Sequence, residues 1–129
     1  MPKNIVMKLR DILFDSSDSF EFQDTRFMRN MRKTIKQQIN KDKLPKTHKE
    51  LAECIHNILI TYIGNTQLGI DPWIIYMLPD SCIDGLFSLV YEGIMIVLVN
   101  DLQISPLAIP KRPNNGFISF VMEFEKTLT

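Results

Sequence analysis

The side chains able to do chemistry are few and widely spaced. The chain has two histidines, His48 and His56. Eight residues apart on one helix, at about 1.5 Å of rise each, they stand roughly 12 Å apart, too far to share a metal ion. Cys54 lies two residues from His56 and so points to a different side. The spacing predicts His48 in a capping turn and His56 at the edge of a buried face. Cys82 falls in the first turn of a predicted helix, where the dipole can lower a thiol pKa. A nucleophile would also need a base, and neither histidine is close in sequence, so a small buried residue is expected there. Glu92 could be a buried acid with a raised pKa. Its register with Asp84 and Ser88, at i, i+4 and i+8, instead predicts one wetted stripe on an apolar helix. The five glycines are scattered singly, with no phosphate-cradling loop and no Gly-x-Ser-x-Gly elbow. The expectation is a chain that is not an enzyme, with no metal site and no cofactor.

Charge is the next signal. Lys plus Arg number 15, as do Asp plus Glu, yet they are segregated. Asp11 to Asp24 holds five acids and no base, Arg26 to Lys49 holds nine bases and one acid, and the remainder is mildly acidic. Arg29, Arg32, Lys33 and Lys36 span over half the circumference of a predicted helix and could meet nucleic-acid phosphates. No stacking aromatic accompanies them, and a solvated face is the plainer reading. The same helix carries Phe27, Met28 and Met31 beside Arg29 and Arg32. With Ile55 and Leu59 of the next helix, these could line a groove for a partner's amphipathic helix, apolar side chains left partly exposed with bases at the rim. They would be core if no groove exists.

The elements that must position these residues read as helices. Asn4 or Ile5 to Phe14 has helical apolar spacing, and Asp15 to Ser19 reads as a solvated turn. A second helix begins near Asp24 and ends in Asn40 to Lys46, with Pro45 as the stop. Thr47-His48-Lys49-Glu50 matches a capping box opening a third, with Leu51, Ala52, Ile55, Ile58, Leu59 and Tyr62 as its buried face and Gly64 as its C-terminal cap. Asp71-Pro72-Trp73 starts a short helix that Leu78-Pro79 ends. Ser81-Cys82-Ile83-Asp84 resembles a second capping box, opening a largely buried helix over Ile83 to Val99. The β-branched run Ile94 to Val99 offers an alternative, a strand followed by another through Ile109. Pro106, Pro110 and Pro113 make 105–115 irregular. Phe117, Phe120, Val121 and Phe124 predict a last helix over 115–127.

Asn114-Asn115-Gly116-Phe117-Ile118-Ser119-Phe120-Val121-Met122-Glu123-Phe124 resembles the second homology region of the B-cell-lymphoma-two family of apoptosis regulators. Asp84 to Gly93 is similar to that family's first homology region, which opens its buried central helix, and Asp18-Ser19-Phe20-Glu21-Phe22 to the end of its third. The three occur in the family's order and cover about a quarter of the chain. The family's Asn-Trp-Gly-Arg is absent, no arginine follows Gly85, and 100–115 is short and proline-broken. The resemblance implies a helical bundle whose hydrophobic groove takes an amphipathic helix from a partner.

Length and composition bound the rest. At 129 residues, 45% hydrophobic and 23% charged, the chain suits one domain over 1–129 with a real core. Two cysteines exclude a disulfide-rich scaffold. Met1 to Arg10 has no apolar signal run, and Ile83 to Val99 is a little short to span a bilayer. The expectation is an intracellular, cytoplasmic or nuclear protein. It is an all-α single-domain bundle of five or six helices around a buried central helix (83–99), the alternative being α+β with a small antiparallel sheet in 86–124. The expected function is non-enzymatic binding of a protein partner or of a second copy in a homodimer, the alternative being nucleic-acid binding through the basic helix 24–40.

Overall fold

The computed structural model describes residues 26–65 and 71–125. The fold is all-α, and no strand occurs among the described residues. The helices are α1 (Arg26–Gln38), α2 (His48–Gly64), α3 (Asp80–Ile96) and α4 (Ile118–Glu125), with a 3-10 helix at Pro72–Met77 between α2 and α3. The expected helix over 4–14, the turn over 15–19, the start at Asp24 and the similarity over 18–22 lie outside the described residues.

Helices α1, α2 and α3 pack against one another, and α4 closes on α2 and α3. Their shared core holds Met31, Ile35, Ile39, Ile55, Leu59, Ile83, Phe87, Val90 and Phe117. The α2 start forms the expected capping box. Thr47 Oγ1 accepts from the Glu50 N–H at 3.1 Å, and Glu50 Oε2 accepts from the Thr47 N–H at 3.2 Å. Its end differs from expectation, because Gly64 is the last helical residue and Asn65 caps in right-handed geometry. Asp71 Oδ1 accepts from the Trp73 N–H at 3.1 Å and Pro72 follows, as read from the sequence, but the segment winds as 3-10.

Helix α3 is the central helix, and two expectations about it are corrected. It starts at Asp80 with Pro79 as N-cap and no side-chain cap, so no capping box forms over 81–84. The Asp84 carboxylate is spent elsewhere, on Phe117. The β alternative over 86–124 fails too, because Ile94–Ile96 stay helical and Val97–Asp101 continues as a π-turn. Burial of Ile94, Val97 and Leu98 in the core outweighs β-propensity, which tertiary packing commonly overrides. The unbroken run Asp80–Asp101 is 22 residues, so by length and composition it is long and apolar enough to cross a membrane. In the bundle it is the core helix.

The chain then reverses. Gln103 takes a left-handed φ of 53°, and the Ile104 N–H bonds back to the Leu98 carbonyl at 2.8 Å. From there residues 104–117 retrace α3 toward its N-terminus. Tyr91 meets the Pro110 carbonyl at 3.5 Å, Ser88 meets Arg112 at 2.9 Å, and Asp84 meets the Phe117 N–H at 2.8 Å. The polar stripe on α3 is therefore a track for the returning chain at Asp84 and Ser88. Only Glu92, which is exposed, fits the expected wetted stripe.

Candidate functional site

The bases of α1 are the first candidate. Arg32 offers its guanidinium fork to Asp101, Nε to Oδ2 at 3.3 Å and Nη2 to Oδ1 at 3.0 Å. Lys36 reaches the same carboxylate at 3.4 Å. Two of the four bases expected to meet phosphates thus neutralise an acid at the far end of α3, while Lys33 is exposed. The side chains of Phe27, Met28 and Arg29 lie outside what is described. Nothing in the sequence singled out Asp101. Its role follows from the π-turn, which brings it opposite α1.

The expected groove residues meet a different fate. Met31, Ile55 and Leu59 are each 0% exposed. The expectation that they stay partly open between helices is corrected. They face inward where α1, α2 and α3 meet, and burying each such side chain stabilises the fold by about 1.5–3 kcal/mol.

The histidines do not share a site. His48 is exposed, and its Nε2 meets the Lys111 carbonyl at 3.0 Å, with Phe120 edge-on at 6.2 Å between ring centroids. His56 is buried against Trp73 at 4.9 Å, with its Nδ1 hydrogen-bonded to the Tyr76 hydroxyl. Burial pushes the His56 imidazole down to about 4 from its ordinary 6.5, so it is neutral at physiological pH. Burial also pushes the Cys54 thiol up to about 11, which leaves it protonated and unreactive. Cys82 is exposed, which corrects the expectation of a buried residue. Among the described residues, no three His, Cys, Asp or Glu side chains converge as metal ligands.

The 3-10 helix supplies a surface the sequence reading missed. At three residues per turn, residues i and i+3 lie in line. Trp73 and Tyr76 share the edge that holds His56. Ile75 and Leu78 share the core edge. Ile74 and Met77 share the third, where Ile74 is half-buried and Met77 is 60% exposed. Read with a 3.6-residue period, Pro72–Met77 hides this ridge; a 3-residue period reveals it.

The last polar assembly is structural. Arg112 donates to Ser88 and, at 3.4 Å, to Asp84 Oδ2, while Asp84 Oδ1 takes the Phe117 N–H. This clasp fixes the turn through Gly116, whose φ is +77°. Compared with known proteins, the chain matches no family model, no curated protein and no solved structure.

Proposed function

We propose that the chain is a non-enzymatic protein-interaction module that takes an amphipathic partner helix. The observation that carries this reading is the Ile74–Met77 ridge. It is apolar, with Met77 exposed and Ile74 half-buried against the core, and it is rigid because the other two edges of the same 3-10 helix are anchored on His56 and in the core. A rigid apolar edge loses little entropy when a partner covers it, which is the condition for an interface anchor. The similarity to the apoptosis-regulator family adds support of its own kind. The segment similar to the first homology region runs along the central helix, and the one similar to the second turns into the helix that closes on it. The earlier candidate face, built on Met31, Ile55 and Leu59, gives way to this ridge. The nucleic-acid alternative loses weight because Asp101 occupies Arg32 and Lys36.

Affinity capture with mass spectrometry, using the wild type and Met77→Glu in parallel, tests the proposal. The expected result is a helical partner, or a second copy of the chain, held by the wild type and lost from a Met77→Glu variant of unchanged melting temperature. Identical captured sets from both would overturn the ridge as the binding face.

A further inference from the structure

Besides Lys33 on α1, five exposed lysines remain among the described residues once the ion pairs are assigned. Lys41, Lys43, Lys46 and Lys49 occupy the connection from α1 to α2 and the first turn of α2. Lys111 joins them because its carbonyl is held by His48. None of the five forms an ion pair among the described residues. The acids among them are Asp42 and Glu53, which are exposed, and Glu50, whose carboxylate is held by the N–H groups of Lys46 and Thr47, three against five lysines. The adjoining Arg112 is paired with Asp84. The surface therefore keeps a net positive charge.

The arrangement selects a kind of ligand. A small anion needs donors that converge. Of these lysines only Lys43 borders the open depression of about 310 Å³ between the end of α1 and α2, which Glu50 and Glu53 also line. Spread ammonium groups are point charges without the guanidinium fork, suited to a diffuse, multivalent anionic surface. Two features then favour a bilayer over a nucleic acid. First, Leu107 is 80% exposed, on a turn stiffened by Pro106 and by Ser105 Oγ accepting the Leu107 N–H at 3.2 Å. It precedes Lys111 by four residues, a reach of at most about 14 Å. Second, among the described residues the patch offers no exposed aromatic for base stacking, since Phe120 is half-buried against His48.

We infer that this lysine surface docks the protein peripherally on an anionic lipid bilayer, with Leu107 entering the headgroup region. The inference is independent of the helix-binding proposal, which uses the Ile74–Met77 ridge. Each lysine near an anionic leaflet contributes about fivefold in affinity, and an inserted leucine about tenfold.

Co-sedimentation of the full chain with vesicles of about one-third phosphatidylserine in phosphatidylcholine, at about 0.15 M salt, reads the binding. Lys43→Glu, Lys46→Glu, Lys49→Glu and Lys111→Glu together should weaken it by at least about a hundredfold, with circular dichroism reporting the fold. Raising the salt to about 1 M should release the wild type, which tests the charge dependence without any variant. Leu107→Ser should cost about tenfold. Failure to bind these vesicles, equal binding to pure phosphatidylcholine, or salt-insensitive binding would overturn the proposal. Unchanged binding by Leu107→Ser, or tighter binding to a single-stranded oligonucleotide than to the vesicles, would overturn the bilayer as the partner.

Discussion

Replacing Gly116 by alanine should cost about 3–5 kcal/mol, the sum of two separable effects. The backbone there has φ +77°, which costs an L-residue about 1–2 kcal/mol. A Cβ at this position would also meet the Asp84 carboxylate, 2.9 Å from Cγ and 3.0 Å from Oδ2, closer than such atoms stand. Asp84 would have to swing away and release the Phe117 N–H, a charge-assisted hydrogen bond of about 1.5–3 kcal/mol. Its contact with the exposed Arg112 adds little. In urea, with a slope of about 2 kcal/mol/M, the midpoint should fall by about 2 M. A double-mutant cycle separates the parts. Asp84→Ala loses the same hydrogen bond, so the double variant should fall short of the summed single effects by about 1.5–3 kcal/mol. Strict additivity, or a Gly116→Ala midpoint within error of the wild type, would refute the account of the clasp.

Three further outcomes follow from the same contacts. Met31→Glu buries an unpaired charge at a fully enclosed site, which costs several kcal/mol, so circular dichroism should report loss of the fold; an unchanged melting temperature would return Met31 to the surface. Asp101→Asn should lower stability by only about 1 kcal/mol, since Arg32 is one-third exposed, and should free Arg32 and Lys36 to bind an oligonucleotide in a salt-dependent manner; anisotropy showing no gain would mean that Asp101 masks nothing. For His56 the folded imidazole titrates near 4 and the unfolded one near 6.5, so the unfolded state binds the extra proton between them and stability falls as pH drops through that window. The loss is about 3 kcal/mol over the whole window, and His56→Gln should show a shallower fall in melting temperature from pH about 7 to 4.5.

Local chemistry was legible in the sequence at two short motifs. Thr47 and Glu50 cap α2 as their spacing demands, and Asp71-Pro72 opens the next turn. Met31 and Ile35 are buried on one face of α1, but whether Met31 faced a partner or the core could not follow from period alone, because both need the same residues. What escaped was long-range. Asp101 and Arg32 are 69 residues apart, and Asp84 and Phe117 are 33 apart. A carboxylate that takes a distant donor looks, in sequence, like a helix cap or a wetted surface residue. Asp84 was misread in both ways, and the supposed capping box fell with it.

The returning segment over 104–117 has a kinetic consequence. The contacts of α1 with α2, and of α2 with the 3-10 helix, close short loops and suit rapid early formation. The clasp on Asp84 spans 28 to 33 residues and the pair on Asp101 spans 69, against 20 from His56 to Tyr76, so both lose more chain entropy on closing, the Asp101 pair most of all. Interactions completed late act on the rate of opening and leave the rate of folding nearly untouched. The length of time one molecule stays closed is then governed by two carboxylates near opposite ends of the central helix.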